Sequence, residues 1–225
     1  MVVGLQNETG KGMARKLKEQ GFKLVLVDEK SCDLDAFAAE LDAEKIEFDF
    51  KHLDKWESYE QLCEYLSAGR DISVLVNNVQ LLDYRKGKVW RASDDELREM
   101  VTANTYPMIF MLRGLGGKMR ERTSNSSVIN MTSYHADHPN AGLPCFSAGA
   151  ACKSFVSEAV YWENQKYKNF HVMTVKPLLE KSERHPNGAE ASEIVEGVFT
   201  DLSNKERFSF GHWKHSMFRS PRHLD

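Results

Sequence analysis

The sequence predicts an α/β fold in which helices cover both faces of a doubly wound parallel sheet. Short apolar runs, each long enough for one strand, alternate at least five times with stretches that carry a helical pattern of apolar residues. Right-handed crossovers turn such an alternation into a parallel sheet with a helix after each strand. A length of 225 residues, 41% of them hydrophobic, suits a single domain with a full core.

The first half of the chain supplies four predicted strands and three helices. Val2 and Val3 end a strand whose beginning is missing or unusually short. The strand predicted at 23–27 contains, at 24–27, the continuous apolar run that a strand buried on both faces requires. Gly21 ends the helix between these strands, because glycine readily adopts the left-handed conformation that closes a helix. The other predicted elements are helices at 34–41 and 58–66 and strands at 46–50 and 72–76.

The second half repeats this order with longer helices. Long helices are predicted at 94–119 and 146–167, strands at 127–131 and 170–175, and a further helix at 191–202. Pro177 closes the last of these strands. Ligands of such a fold bind beyond the carboxyl ends of the strands, so candidate site residues are sought there.

Charge and composition exclude several classes of function. The net charge is −3 and no basic block is present, so nucleic acid is not an expected partner. No apolar run approaches the ~20 residues that cross a bilayer, so we expect a soluble chain without a transmembrane segment. The four cysteines lack CxxC spacing and the paired histidines lack a third ligand. We therefore expect a reducing compartment, such as cytoplasm, an organelle matrix or the cytoplasmic face of a membrane, and no metal site.

Five stretches carry a family resemblance: GKGMA at 10–14, GFKLVLV at 21–27, INMTS at 129–133, VKPL at 175–178 and WKH at 213–215. In this order they resemble the short-chain dehydrogenase/reductase superfamily, in the branch of 3-oxoacyl-CoA reductases and 17β-hydroxysteroid dehydrogenases. The resemblance implies a Rossmann-like, NAD(P)-binding fold in one domain over 1–225. Its dinucleotide-binding half would span 1–90, its active-site half 91–178, and its substrate loop and C-terminal segment 179–225.

The loop after the first strand departs from the TGxxxGxG pattern of this family. Gly4 and Gly10 match two of its glycines, whereas Glu8 stands at the middle glycine, where the backbone approaches the pyrophosphate. A carboxylate about 5 Å from a phosphate, at an effective dielectric of about 20, costs about 3 kcal/mol. We therefore expect dinucleotide affinity to fall about a hundredfold unless the loop rearranges. Glu8 also suits a helix start, where the macrodipole favours an acidic side chain.

Three further positions match cofactor-binding residues of the family. Asp28, about twenty residues beyond the loop, would accept a hydrogen bond from a ribose 2′-hydroxyl and select NAD, although aspartate is also a common turn residue. Asp49, at the end of the third strand, resembles the aspartate that contacts adenine. Asn77 begins the sequence NNVQ, which resembles the NNAG motif, and this asparagine chiefly fixes the central sheet in the family.

Only part of the catalytic set implied by the resemblance is present. Asn104 matches the asparagine that holds a water relay, and Ser133 matches the serine that orients the substrate carbonyl. The tyrosine and lysine of the YxxxK pair fall at Phe146 and Ala150. The proton donor and the lysine that lowers its pKa are therefore both replaced by residues that cannot do this chemistry.

These departures favour a pseudoenzyme with a structural or binding role, which binds no cofactor or binds NAD(H) weakly. The alternative is an NAD(P)-dependent oxidoreductase that reduces a 3-oxoacyl or steroid ketone with a surrogate acid. The sequence offers Lys153, one helical turn beyond Ala150, and Tyr134 or His135, directly after the serine. The stretch 179–191, which corresponds to the substrate loop of the family, is polar and charged rather than apolar.

A homo-oligomer or a larger complex is the predicted assembly. In this superfamily the two long helices commonly form a four-helix dimer interface. Their apolar residues could contact a partner chain or cover the sheet, and the residues concerned are Met108, Phe110, Met111, Phe155, Val156 and Val160.

Overall fold

The computed structural model describes residues 1–51, 55–81, 89–178, 180–181, 183 and 185–217, with Cys32 described by its backbone alone. In this part of the chain seven strands form one parallel sheet: β1 (Val2–Val3), β2 (Val25–Asp28), β3 (Glu44–Glu47), β4 (Val74–Asn77), β5 (Ser126–Met131), β6 (Phe170–Val175) and β7 (Phe208–Ser209). Their order in space is β3-β2-β1-β4-β5-β6-β7. The predicted doubly wound α/β fold is confirmed, and the chain reverses direction across the sheet between β1 and β4.

Helices follow the strands on both faces of the sheet. Their bounds are α1 (Glu8–Glu19), α2 (Cys32–Glu40), α3 (Trp56–Ser67), α4 (Asp94–Arg120), α5 (Pro144–Glu163), α6 (Ala191–Ser203) and α7 (Trp213–Met217). The long helix α4 begins at a capping box, in which Ser93 and Glu96 each bond the backbone of the other. Gly21, with φ of 86°, stands just beyond α1 as its sequence position predicts.

Alternate strand residues divide between two apolar layers. Val2 and Leu26 belong to the layer that packs against α1, α2 and α6. Their neighbours Val3 and Val27 belong to the layer that packs against α3, α4 and α5. Because successive side chains of a strand point to opposite faces, apolar residues at every position cover both faces of the sheet.

The third strand lies two to three residues earlier than the predicted 46–50. Its ladder with β2 runs from Val25 opposite Glu44 to Asp28 opposite Glu47, and the strand ends there. Phe48 then makes one more backbone bond, to the carbonyl of Asp28, and its ring packs edge-on against Tyr59 of α3. The alternation of Ile46, Phe48 and Phe50 therefore reflects packing on a helix as well as strand pairing.

The segment after α6 adds a strand that the sequence pattern does not predict. Strand β7 pairs with β6 through Thr174 opposite Phe208 and Val175 opposite Ser209. Gly197 of α6 permits this arrangement, because a β-carbon there would lie 2.6 Å from the carbonyl carbon of Gly211. The short strand is thus held by close backbone contact as well as by its ladder.

Some apolar residues of the two long helices cover the sheet, and others are exposed at the surface. Met108 and Met111 are buried in the layer under the sheet, so they belong to the core of this chain. Phe155 is 79% exposed on α5, and Trp162, two turns further along, is 59% exposed. Among the described residues, no helix has both the length and the apolar character needed to cross a membrane.

Candidate functional site

The loop between β1 and α1 lies against the end of β4, at the point where the strand order reverses. Gly4 has a φ of 89°, and a β-carbon there would lie 2.6 Å from the backbone nitrogen of Val79. Gly10 faces the side-chain nitrogen of Asn78 so closely that a β-carbon would overlap it. Both glycines predicted to bind a cofactor are therefore needed for the loop to pack on the sheet.

Asn7 caps α1 and ties this loop together. Its side-chain oxygen accepts a hydrogen bond from the backbone nitrogen of Gly10 at 2.8 Å and another from Asn78 Nδ2 at 3.0 Å. The same Asn78 nitrogen donates to the carbonyl of Gly4 at 2.9 Å. The start of α1 is thereby fixed in position relative to β4.

The carboxylate of Glu180 lies on the N-terminus of α1. The backbone nitrogen of Glu8 donates to Oε1 at 3.1 Å, and that of Thr9 donates to Oε2 at 3.2 Å. The Thr9 hydroxyl also donates to Oε2, at 2.5 Å. In a dinucleotide-binding loop these amides face the pyrophosphate. Sequence reasoning missed Glu180; the available signal was an acidic residue three positions beyond Pro177, where the strand end is closed.

Glu8 itself points away from this position. Its side chain is 61% exposed and pairs with Lys11 at 3.1 Å, one turn along the helix. The residue thus acts as an acidic first-turn residue of α1, which the macrodipole favours. The negative charge that we expected Glu8 to place beside a phosphate is supplied by Glu180.

Asp28 holds the loop between β1 and α1 through one carboxylate oxygen and the backbone of the next residue through the other. Oδ2 accepts from the backbone nitrogen of Leu5 and Oδ1 from that of Glu29, each at 2.8 Å. Burial raises the pKa of this carboxyl, while the two backbone hydrogen bonds oppose that shift. Asp28 also lines a depression of about 290 Å³ with Lys11 and Lys30. Its assignment to a ribose hydroxyl stays a prediction.

Asp49 does not end a strand, contrary to the sequence-based expectation. Strand β3 stops at Glu47, and Asp49 is an exposed loop residue. Its Oδ1 accepts a hydrogen bond from the backbone nitrogen of Lys51 at 3.0 Å, which is the geometry of an aspartate turn. The contact of Asp49 with adenine stays a prediction, and it concerns a residue of the loop after β3 rather than of a strand end.

Asn77 belongs to a buried chain of hydrogen bonds that crosses the sheet. Its Nδ2 donates to Asn130 Oδ1 at 2.8 Å, and Asn130 Nδ2 donates to Ser157 Oγ at 2.9 Å. The Thr174 hydroxyl donates to the same Ser157 oxygen at 2.7 Å. The chain links β4, β5 and β6 to α5, so Asn77 fixes the central sheet as the resemblance implies.

The two catalytic residues that the sequence retains are engaged in backbone contacts. Asn104 is fully buried; its Oδ1 accepts from the nitrogen of Leu81 at 3.0 Å and its Nδ2 donates to the carbonyls of Leu81 and Met100, both at 2.9 Å. Ser133 Oγ accepts from the nitrogen of His135 at 3.2 Å. Asn104 thus fixes the chain after β4, and Ser133 caps the turn after β5.

The positions of the lost YxxxK pair lie in the first two turns of α5 and are apolar and buried. Phe146 is 3% exposed and packs with Met100 and Leu143. Ala150 is 1% exposed, and its carbonyl accepts a hydrogen bond from the Thr132 hydroxyl at 2.7 Å. That bond ties α5 to the end of β5, next to Ser133.

The surrogates differ in their access to this region. Lys153 is 3% exposed, and its Nζ donates to the carbonyl of Val79 at 3.2 Å. Burial lowers the pKa of this lysine to about 7. The ring of Tyr134 stacks on His138 at 4.2 Å between centroids, whereas that of His135 lies edge-on to Phe146 at 6.2 Å.

A cavity of about 200 Å³ joins the cofactor loop to the catalytic region. Ser133, His135 and Phe146 line it from the catalytic side, and Thr9 and Glu180 line it from the α1 side. His185 and Leu178 complete the wall near the segment after β6. The arrangement brings Ser133, two histidines and a carboxylate to one small cavity.

This chain is similar to known dehydrogenases, reductases and dehydrogenase-like proteins. A family model described as short chain dehydrogenase matches residues 1–187. Chicken (Gallus gallus) hydroxysteroid dehydrogenase-like protein 1 is 26% identical over 96% of this chain and 69% of its own length. A very-long-chain 3-oxoacyl-CoA reductase of Neurospora crassa is 28% identical over 71% of this chain and 49% of its own length, so the chain spans about half of that relative.

Two further proteins extend the comparison. The human inactive hydroxysteroid dehydrogenase-like protein 1 is 26% identical over 72% of this chain and 50% of its own length. A short-chain dehydrogenase of Sphingobium yanoikuyae, solved in complex with NADPH, superposes with a TM-score of 0.81 at 19% identity, over 92% of this chain and 85% of that one. Together with the sheet order and the strand-end site, the family match shows that this chain belongs to the short-chain dehydrogenase family.

Proposed function

We propose that this chain is a catalytically inactive short-chain dehydrogenase that serves a structural or binding role. The observation that carries the proposal is the pair Phe146 and Ala150, buried where the family places its proton donor and lysine. Phenylalanine has no proton to donate and alanine has no charge to lower a donor pKa. A general acid contributes roughly 10²–10⁴ in rate, so little of the family's hydride chemistry would remain. The human relative described as inactive supports the proposal.

Turnover assays test the proposal directly. The purified chain is incubated with NADH or NADPH and with 3-oxoacyl-CoA or steroid ketone substrates, and cofactor oxidation is followed by absorbance. We expect no turnover above a protein-free control. Saturable turnover by the unmodified chain would refute inactivity.

A reconstructed variant separates loss of the acid from loss of the cofactor. Phe146→Tyr combined with Ala150→Lys restores the two side chains, and Phe146→Tyr alone is its control. Turnover by the double variant would identify the missing pair as the defect. Circular dichroism of each variant checks that the buried substitutions leave the fold intact.

A reductase with His135 as surrogate acid is the second candidate. One observation favours it: His135 lines the same cavity as Ser133 and Phe146. Lys153 is a weaker surrogate, because its ammonium group is buried against the carbonyl of Val79. If the unmodified chain reduces a ketone, this candidate requires that His135→Phe abolishes turnover while His138→Phe does not.

For the binding role we propose association with a second copy of this chain through α5. The support is the exposed pair Phe155 and Trp162, which lie seven residues apart and so on one side of the helix. Light scattering should then give twice the chain mass of 25.7 kDa, and Phe155→Asp should give the single mass. A monomeric unmodified chain would contradict this proposal.

A further inference from the structure

We propose that Glu180 closes the pyrophosphate cradle of this chain from within, so that a nicotinamide dinucleotide binds only when the Glu180 carboxylate leaves the N-terminus of α1. This inference deepens the proposed function and rests on it for its meaning, since a site kept closed accords with an inactive protein. It concerns binding alone and involves no chemical step.

The contacts of Glu180 use the donors that a pyrophosphate would need. The backbone N–H groups of Glu8 and Thr9 have no acceptor within α1, because the first four amides of a helix lack an intrahelical partner. Both donate to Glu180, one to each carboxylate oxygen, and the Thr9 hydroxyl adds a third bond. The partial positive charge of the helix end favours an anion at this position. A side chain of the protein thus provides the anion.

The segment that carries Glu180 is itself held in place. Glu180 forms a parallel bridge with Ala189, and the nitrogen of Lys181 donates to the carbonyl of Ala189 at 2.8 Å. Gly188 permits this pairing, because a β-carbon there would lie 2.6 Å from the nitrogen of Lys181. Glu190, which directly follows Ala189, is the N-cap residue of α6. The carboxylate is therefore presented by a paired strand-like segment fixed to the start of a helix.

The residues around the cradle do not fit a dinucleotide as they are arranged. A pyrophosphate at the α1 N-terminus would meet the Glu180 carboxylate at close range. At about 5 Å and an effective dielectric of about 20, one such repulsion reduces affinity on the order of a hundredfold. Displacing Glu180 instead sacrifices its three hydrogen bonds. Either the repulsion or the loss of these hydrogen bonds weakens cofactor binding. Removing the carboxylate removes both costs.

Calorimetric titration with NADPH and NADH tests this closure. The variants are Glu180→Ala, which removes the side chain, and Glu180→Gln, which keeps its shape without its charge. Glu183→Gln is the matched control, because it makes the same charge change at an exposed position of the same segment. We expect no saturable binding to the unmodified chain or the control up to about 1 mM, and at least tenfold tighter binding to both Glu180 variants.

Two results would overturn the inference. One is saturable binding of NADPH or NADH to the unmodified chain with the affinity of the Glu180 variants. The other is a folded Glu180→Ala variant, by circular dichroism, that shows no saturable binding up to about 1 mM. A thermal readout accompanies the titration: removing Glu180 should lower the melting temperature, and NADPH should raise it in the variants but not in the control.

Failure of this inference is distinguishable from failure of the proposed function. Cofactor binding is measured without substrate, and turnover is measured separately. Turnover by the unmodified chain would refute inactivity and leave the comparison of affinities standing. Equal affinities would refute the role of Glu180 and leave inactivity, which rests on Phe146 and Ala150, standing.

Discussion

Replacing Lys153 by methionine should stabilise the protein near neutral pH, and the gain should disappear at alkaline pH. Nζ is buried and, within the part of the chain that the structure describes, donates to the carbonyl of Val79 at 3.2 Å. The surrounding wall is formed by uncharged residues, including Asn77, Asn104 and Met108. Burial penalises the ammonium form and lowers the pKa from 10.5 to about 7.

The size of the effect follows from linkage between protonation and folding. Between 7 and 10.5 the unfolded chain binds the lysine proton more tightly than the folded chain, so the free energy of unfolding rises with pH in this window. At about 1.36 kcal/mol per pKa unit, the ammonium form costs the folded state about 5 kcal/mol below pH 7. Methionine removes this cost but leaves the Val79 carbonyl unpaired, which costs about 1–3 kcal/mol. The expected net gain at pH 6 is about 2–4 kcal/mol.

Urea denaturation of both proteins from pH 6 to pH 9.5 measures this difference. The advantage of Lys153→Met should shrink by about 3 kcal/mol between pH 7 and pH 9.5, because the unmodified chain loses its penalty there. Lys168→Met, at an exposed position, is the control and should show no such trend. A stability difference between Lys153→Met and the unmodified chain that does not change with pH would refute the reasoning.

Two further predictions concern the packing around the site. Ser157→Ala leaves the buried donors of Asn130 and Thr174 without this acceptor, so urea denaturation should show a free energy of unfolding lower by about 2–4 kcal/mol. Adding Thr174→Val should recover part of this stability. A loss below about 0.5 kcal/mol would contradict the network. Gly4→Ala should cost about 3 kcal/mol or more, from strain at positive φ and overlap with the β4 end. Gly21→Ala has a similar φ but open space and should cost only about 1–2 kcal/mol; equal losses would contradict the packing argument.

The fold was predictable because its signals are local. A strand buried on both faces must be apolar at most positions. The strands at 25–28 and 170–175 could therefore be predicted from the sequence. Helix ends at Gly21 and at Ser93 follow from backbone chemistry within a few residues. The predicted bounds of β3 were too late because Phe48 and Phe50 extend its apolar alternation beyond the strand. Their rings pack together, and that of Phe48 also packs on Tyr59 of α3. Packing between elements had overridden the local pattern.

The sequence by itself shows phenylalanine at 146 and alanine at 150, the positions that the resemblance gives to the acid and the lysine, since residue identity requires no coordinates. It also placed Asn77 at the end of β4, Asn104 in α4 and Ser133 directly after β5. Only the tertiary structure decided where Glu180 and Lys153 point. These side chains meet partners 171 and 74 residues away in the chain. No local pattern encodes such contacts, because the helix end and the carbonyl that receive them are brought near only when the sheet and its crossovers have assembled.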